Sequence, residues 1–255
     1  MSSPTVPREI YSVPAIATYV GTGVSVWAVA QHYLLLAVVA MSLVICLLLI
    51  YLFFTHKKYR IHRRFRQIDS ELHKLAHRTR DYVSELRMAG NVNEARQFSG
   101  AAIKHALTVA SNCFSRLIGK PCSASLMLRV SHDMLTTVQY CYNTDPQRES
   151  RRSSPLPISD GIAGKALTSG DVVVWTKGDP TFIPTRQDFG QYYQSGICVP
   201  FQASLTYVGL LNVDTKDENM FSYDMHKQIG AAIGDTIGLI IDALNLWEDS
   251  NGKKY

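Results

Sequence analysis

The longest apolar run of the chain extends from Tyr33 to Phe54 and is followed at once by a basic segment. None of its 22 residues is charged, and a helix of that length, at about 1.5 Å of rise per residue, spans roughly 30 Å of hydrocarbon. Tyr33 and Tyr51 lie near the two ends, where amphipathic rings favour the membrane–water interface. The run is too long for the apolar core of a secretory signal, and no small-residue cleavage site follows it. The pattern therefore predicts a transmembrane helix at 33–54 that stays in the mature protein.

A second, weaker uncharged segment precedes this run and covers residues 10–31. Pro14, Gly21, Gly23 and several hydroxyl side chains disfavour its insertion as a helix. We therefore expect a single-pass protein in which residues 1–32 form a short non-cytoplasmic or interfacial segment. A first transmembrane helix in this segment, which would form a hairpin with the second, is the alternative.

After the basic segment, apolar or uncharged residues recur with alternating spacings of four and three. They are Ile61, Phe65, Ile68, Leu72, Leu75, Thr79, Tyr82 and Leu86. This is a heptad seam with charged and polar residues between its members. The pattern predicts that residues 55–90 form a basic juxtamembrane segment and a coiled-coil linker, with a parallel homodimer through 61–86. A single amphipathic helix packed on its own domain is the other interpretation.

From residue 91 onward the periodicity alternates between that of helices and that of strands. Helices are predicted from Glu94 to Leu117, over 161–169 and from Ser222 to Trp247, with Asn91 or Asn93 as the cap of the first. Strands are predicted at Ala124–Val130, Leu135–Tyr142, Val172–Trp175, Ile197–Phe201 and Tyr207–Asp214. The sequence therefore predicts an α+β domain over 91–248, with a central antiparallel sheet flanked by helices, and a tail at 249–255.

The net charge of +5 arises in one place. Residues 55–66 contain no acid and six bases, which are Lys57, Lys58, Arg60, Arg63, Arg64 and Arg66. Residues 67–255 hold 19 Lys and Arg against 20 Asp and Glu, so the folded domain is nearly neutral and nucleic acid is not an expected partner. A basic cluster directly after a transmembrane helix is typical of the cytoplasmic side and attracts anionic lipid. We expect the plasma (inner) membrane as the location, with the C-terminal domain cytoplasmic and the lipid bilayer as a partner.

Several motifs of the domain follow one another in an order that resembles a GAF domain. They are the run DGIAGKALTSGDVVVW at 160–175, Val199-Pro200 at a strand end, GLLNVD from Gly209 to Asp214, and Phe221, Ser222 and Asp224 at the start of the last helix. The resemblance covers about residues 92–247. A membrane span, a coiled coil and a GAF domain in this order resemble the sensory half of a bacterial signalling protein.

The resemblance implies a pocket, because GAF domains hold small ligands such as cyclic nucleotides, tetrapyrroles, haem and oxo-acids. The pocket is expected between the sheet and the elements at 161–194, with walls formed by Trp175, Thr176, Phe182, Tyr192, Tyr193, Ile197 and Val199. The helix N-terminus near Gly161 and Gly164 offers amide donors to an anion. Aromatic side chains in 176–194 offer stacking faces, so a nucleotide is the expected ligand. Core packing explains Trp175, Ile197 and Val199 equally well.

Catalytic chemistry is sparse in the sequence. Free methionine-sulfoxide reductases resemble GAF domains, but Ala163 stands where their thiolate chemistry requires a cysteine. The five cysteines form no C-x-x-C pair, and the histidines show no metal-ligand spacing with Cys or Asp. We therefore expect no catalytic residue, no metal, no cofactor and no enzymatic activity.

No kinase, cyclase, phosphodiesterase or DNA-binding region follows Trp247, so the output is expected to pass to an unidentified protein or to the membrane. The leading hypothesis is a sensor whose domain binds a small molecule and signals through the coiled coil to the membrane segment. One version is an effector that perturbs the bilayer when a nucleotide second messenger binds, as in bacterial anti-phage signalling. The alternative is a non-sensing scaffold that dimerises through 61–86 and the flanking helices of the domain and tethers a partner to the membrane.

Overall fold

A computed structural model describes residues 12–30, 34–141, 156–159, 161–178, 193–221 and 224–252. The chain divides into two compact units, Met1–Phe65 and Arg66–Tyr255. The first contains helix α1 (Ser12–Ala30) and the first part of helix α2 (Leu34–Met88). The predicted boundary at residue 54/55, between membrane span and linker, lies inside α2.

Helix α1 was not part of the favoured prediction, which made residues 1–32 a short non-cytoplasmic or interfacial segment. In the structure α1 packs on α2: Gly21 is buried, and a Cβ atom at this position would collide with the Val44 side chain. Ser25, one turn later, is also buried and donates its hydroxyl to the Gly21 carbonyl at 2.7 Å. Small residues at i and i+4 let two apolar helices approach closely, which is a common contact between helices in membranes.

The described apolar side chains of the first unit lie mostly on its outside, as the exposure of Val38, Leu43, Leu49 and Phe53 illustrates. By length and composition, two stretches of the described chain could cross a membrane: Val38–Met88 and Asp224–Ser250. Only 6% of the most apolar part of the first is buried within the protein, against 39% for the second. An apolar exterior of this size is unfavourable in water and favourable in lipid.

The second unit begins with the remainder of α2, which connects through residues 89–91 to helix α3 (Val92–Ile118). Of the two predicted caps, Asn91 is the one that the structure shows, and its side chain accepts the Glu94 amide at 3.0 Å. Glu94 in turn accepts the Gly90 amide at 2.8 Å, so two donors at the helix start are satisfied. Gly119 ends α3 in the left-handed conformation with a φ of 79°.

The structure corrects the coiled-coil interpretation for residues 68–86. Ile68 and Leu75 are buried in a core cluster with α3, the sheet and the last helix, while Tyr82 and Leu86 are buried between α3 and that same helix. Because these side chains contact the protein's own domain, they are not available to the partner helix that a seam over 61–86 requires. The spacing of the apolar residues arises from an amphipathic helix packed on its own domain, which was the other interpretation.

The central sheet has six described strands, one more than the five predicted, all paired antiparallel in the order β3-β2-β1-β6-β5-β4. Their bounds are β1 Cys122–Ser131, β2 Met134–Cys141, β3 Leu156–Pro157, β4 Val173–Thr176, β5 Ser195–Ala203 and β6 Thr206–Thr215. Helix α4 (Gly161–Ser169) lies between β3 and β4 in the chain, and helix α5 (Asp224–Gly252) follows β6. Each predicted strand is thus present, with small shifts at its ends.

Helices α3 and α5 cover one face of the sheet. The main core lies between these two helices and the sheet, and it contains Phe114 of α3, Ile233 of α5 and Phe201 of β5. Three glycines one turn apart in α5, Gly230, Gly234 and Gly238, face strand β5: Cβ atoms there would lie 2.7 and 3.2 Å from Val199 for the first two and would collide with the Gln202 backbone for the third. This glycine row brings the helix backbone close to the sheet.

The opposite face carries α4 and a second, smaller cluster. Ile162, Ala166 and Leu167 of α4 pack there on Met127 of β1 and Leu210 of β6. The domain therefore has helices on both faces of its sheet, and the two faces have separate cores.

Candidate functional site

The α4 side of the sheet carries a group of buried polar side chains beside its apolar cluster. Ser123 is paired across the strands with Asp214, and Ser125 with Asn212. Ser123, Ser125 and Asp214 are buried, and Asn212 is partly buried. We call these four residues, Ser123, Ser125, Asn212 and Asp214, the polar face.

The strand geometry explains why these residues share one face. Successive side chains of a strand point to opposite sides, so Leu211 and Val213, which lie in the α3–α5 core, place Asn212 and Asp214 on the α4 side. The pairing continues the two rows onto β5, where Gly196 is opposite Asp214 and Cys198 is opposite Asn212. The polar side chains of the two rows therefore lie on β1 and β6, and two small residues of β5 continue the rows in register.

One end of the polar face is covered by Trp175. Its ring lies over Gly196, where an added Cβ would be 2.7 Å from the indole, so only glycine fits beneath it. Trp175 also forms a hydrogen bond with the Cys198 side chain. Burial, assisted by the charge of Asp214, raises the pKa of the Cys198 thiol to about 12, and the Trp175 bond opposes this rise. The thiol is therefore protonated at neutral pH.

Asn212 offers a hydrogen-bond acceptor that the described residues leave unmatched. Its Oδ1 atom is buried and has no hydrogen-bond partner among them. A buried acceptor without a partner loses the hydrogen bonds it makes to water in the unfolded chain. Together with the Asp214 carboxylate in the next row, it makes this part of the sheet rich in acceptors. A group that binds here must therefore present N–H or O–H donors.

The structure brings together only part of the predicted pocket wall. Trp175 and Tyr193 are buried in the same cluster, next to Cys198. Thr176 accepts the Asn219 amide at 3.0 Å and donates to the Gln194 carbonyl at 3.5 Å, so its hydroxyl ties β4 to its neighbours. Phe182 and Tyr192 lie outside the described residues.

Two of the predicted wall residues lie on the face of the sheet opposite to the predicted pocket. Ile197 and Val199 are buried in the α3–α5 core, on the side of the sheet opposite to Trp175. Alternation along β5 requires this, since Cys198 between them belongs to the α4 side. Of the two interpretations given for these residues, core packing is the correct one.

The predicted anion site at the start of α4 is also corrected in part. A Cβ on Gly164 would collide with the Ile158 backbone, so this glycine is needed for a close approach of two chain segments. Gly161 has a φ of 72°, which explains glycine at the first position of the helix. With the Ile158 backbone against its first turn, α4 has no room for a phosphate at Gly164.

A separate cleft of about 710 Å³ lies at the far end of the same face. The turn between β1 and β2, strand β3, the end of α4 and the start of β6 line it, with Arg129, Thr168 and Tyr207 among the residues. The Arg129 guanidinium donates to the Ser131 and His132 carbonyls at 3.2 and 2.7 Å, so it holds the turn in place. Among the residues that the structure describes, no predicted site residue lines this cleft.

Comparison with solved structures finds GAF domains among the structures similar to this chain. The GAF domain of a phosphoenolpyruvate-protein phosphotransferase from Coxiella burnetii is 12% identical, with a TM-score of 0.49 over 71% of this chain and 98% of that chain. A GAF domain/HD domain protein from Geobacter sulfurreducens is 13% identical, with a TM-score of 0.45 over 56% and 94%. The domain has a GAF-like fold, as the sequence motifs predicted. The sequence matches no protein-family model and no curated protein.

Free methionine-R-sulfoxide reductases are also among the structural neighbours. The enzyme from Neisseria meningitidis, solved in complex with its substrate, is 14% identical, with a TM-score of 0.47 over 66% of this chain and 88% of that chain. The prediction that the chain is not an enzyme is therefore wrong as an inference from its fold, since catalytic proteins are among the chains that share this fold. At this identity the likeness is one of fold and establishes no activity.

Proposed function

We propose that this chain is a membrane-anchored sensor whose GAF-like domain binds a small ligand on the polar face. The observation that carries the proposal is the group of polar side chains on the α4 side of β1 and β6, with an Asn212 acceptor that no described residue satisfies. The unmatched Asn212 acceptor is unfavourable in the ligand-free protein, and a ligand with a matching donor removes the penalty.

The chemistry of the polar face limits the class of ligand that can bind there. Asn212 and Asp214 lie in adjacent rows and offer acceptors, while Trp175 closes the end of one row with an aromatic ring. A planar group with amino or ring N–H donors fits such a surface, and a nucleobase has both properties. The nucleotide expected from the sequence is thus retained, but its base rather than its phosphate makes the contact described here.

Replacement of Asn212 by leucine tests this assignment. Since Oδ1 is an unmatched buried acceptor, Asn212→Leu should raise the free energy of unfolding of the ligand-free protein by about 1 kcal/mol. The same change should weaken ligand binding roughly tenfold to a hundredfold, because a buried donor of the ligand then lacks its partner. Thermal shift of the full chain in detergent, against a panel of nucleotides, nucleosides and free bases at millimolar concentration, measures both.

The matched control is Asn245→Leu, at an exposed asparagine of α5. It should change neither stability nor the response to ligand. If no member of the panel stabilises the wild-type chain, the nucleotide assignment fails and the scaffold hypothesis becomes the better account. If ligands act equally on wild type and Asn212→Leu, the domain binds them elsewhere than on the polar face.

The proposed membrane anchor of the chain is a hairpin of α1 and the first part of α2. Helix α1 is not among the described stretches that could cross a membrane by their own length and hydropathy, but its 19 residues, at about 1.5 Å each, nearly match the roughly 30 Å of a bilayer core. Its contact with Val44 through Gly21 and Ser25 and the apolar exterior of the unit support the hairpin, which was the alternative to a single span. The basic cluster after residue 56 retains the following domain in the cytoplasm, and a hairpin brings the N-terminus to the same side.

Reporter fusions distinguish the two topologies. In the hairpin, a fluorescent protein that matures only in the cytoplasm should be bright at either terminus, and a phosphatase that folds only in the periplasm should be inactive at both. A single span predicts the same result at the C-terminus but an active phosphatase at the N-terminus. A phosphatase that is active at the C-terminus contradicts the orientation itself.

We further propose that ligand occupancy is transmitted through α2, since this helix contributes residues to both units. The output is a change in the membrane hairpin or in a protein bound to it, and an anti-phage effector that perturbs the bilayer is one form of this output.

A further inference from the structure

Two histidines on α2 form a pair that the sequence analysis overlooked. His73 and His77 are one helical turn apart, and both are exposed on the side of α2 away from the domain core. Their Nε2 atoms share a hydrogen bond of 2.9 Å, and their rings meet edge to face with centroids 4.4 Å apart. The two nitrogen atoms therefore converge on one point beside the helix.

This convergence has the geometry of a chelate. Imidazole nitrogen binds divalent transition ions at about 2.0–2.1 Å, so two such ligands at a right angle lie about 2.9 Å apart. A tetrahedral ion needs about 3.3 Å between the same atoms. The observed separation matches two adjacent positions of a square-planar or octahedral ion, which are the arrangements that Cu²⁺ and Ni²⁺ prefer.

The surroundings do not oppose a cation. Lys74 is paired with Glu71 at 3.2 Å, and Arg80 lies 3.5 Å from Asp81, so the nearest positive charges are compensated. Asp69, one turn before His73, adds negative charge to the same exposed side. Over the described ranges, no three His, Cys, Asp or Glu side chains come together as a metal-binding group, so the protein supplies two ligands here and water supplies the others.

We propose that His73 and His77 bind a divalent transition ion of the Cu²⁺ or Ni²⁺ type through their Nε2 atoms. The ion replaces the contact between the two rings and links residues 73 and 77 across one helical turn. Because it binds the folded helix and not the unfolded chain, it stabilises this part of α2.

Copper binding to the full chain in detergent, purified without a polyhistidine tag, tests the proposal. The variants are His73→Gln and His77→Gln, and the control is His62→Gln, an exposed histidine of α2 that has no histidine one turn away. Linking two ligands raises affinity by roughly 10²–10⁴, so loss of either should weaken Cu²⁺ binding about a hundredfold by calorimetric titration. The spin-resonance spectrum of the bound ion should show two equivalent imidazole nitrogens in wild type and in the control.

Three results would overturn the proposal: equal Cu²⁺ affinity for wild type and both variants, an equal loss in His62→Gln, or a spectrum without two imidazole nitrogens. Because the substituted side chains are exposed, circular dichroism should be unchanged, and a variant that binds weakly while fully helical supports the chelate. The same titration with Ni²⁺ should give the same order of variants with a lower affinity throughout.

Discussion

Tyr82→Ala should lower the free energy of unfolding of the C-terminal domain by about 3–5 kcal/mol, the cost of removing a large buried aromatic side chain. Tyr82 is fully buried where α2 meets α3 and α5, among Leu86, Ala102 and Ile240. Its hydroxyl lies 2.9 Å from Ser99 Oγ and 3.3 Å from the Ile240 carbonyl, to which it donates. Alanine leaves a cavity at the meeting point of three helices and removes the hydrogen bonds of the tyrosine hydroxyl.

Urea unfolding of the full chain in mild detergent, followed by tryptophan fluorescence, measures this loss. Tyr82→Phe separates the two causes, since it keeps the ring and removes only the hydroxyl, at a cost of about 1 kcal/mol. Ser99 keeps its own bond to the Ala95 carbonyl at 2.8 Å in either variant. Tyr59→Ala, at an exposed tyrosine of the same helix, is the control. If Tyr82→Ala is no more harmful than Tyr59→Ala, α2 does not pack on the domain as described.

Leu75→Ala should destabilise the domain by about 2–5 kcal/mol, because a buried leucine is lost from a packed core. Leu75 is 2% exposed and lies in the cluster that joins α2 to α3, the sheet and α5. Ile61, another member of the same heptad seam, is 44% exposed. Ile61→Ala should therefore change the unfolding free energy by no more than about 0.5 kcal/mol.

The pair Leu75→Ala and Ile61→Ala decides between the two interpretations of the seam. In a coiled coil both residues face the partner helix, so both variants should weaken the oligomer and make the midpoint depend on protein concentration. In the structure only Leu75 lies in the domain core. The loss of stability in Leu75→Ala should therefore be large and independent of protein concentration. Light scattering of each variant in detergent supplies the oligomeric state. Equal and concentration-dependent effects would restore the coiled coil.

The sequence was sufficient for the helices and for five of the six described strands of the domain, because local signals determine them; the short β3 was not predicted. Asn91 with Glu94 marks a helix start, and the alternation in Tyr207–Asp214 marks a strand. It was not sufficient for the partner of α2. An apolar stripe has the same spacing whether it meets a second copy or the protein's own α3, and only the three-dimensional contacts of Ile68, Leu75 and Tyr82 distinguish these cases.

Glycine and hydroxyl residues affect helix formation differently in water and in lipid, as helix α1 illustrates. Gly21 and the nearby hydroxyl residues lower helix propensity in water, and this argued against a helix there. In an apolar surrounding the hydroxyls bond to their own helix, as Thr22 does to the Thr18 carbonyl at 2.6 Å. Gly21 then becomes the point of contact with Val44. The same residues that weakened the prediction make the helix pair possible.

The candidate site was predicted from aromatic residues, and the polar face was missed. The alternation of apolar and polar residues along β6 was already visible in the sequence. Since Leu211 and Val213 face the α3–α5 core, Asn212 and Asp214 lie together on the opposite face of the sheet. Their partners Ser123 and Ser125 could not be assigned, since strand register depends on pairing across the sheet.

The glycine row of α5 has a consequence for the synthesis of the protein. Gly230, Gly234 and Gly238 suit docking on a sheet, but the same four-residue spacing suits docking on another helix in a bilayer, and α5 is long and apolar enough to enter one. On the ribosome all six strands emerge before α5, so its docking surface is available when it appears. If the proposed membrane hairpin tethers the nascent chain, prompt sheet formation would keep α5 out of the bilayer. The speed at which the sheet forms would then decide both the folding of the domain and the number of helices the membrane receives.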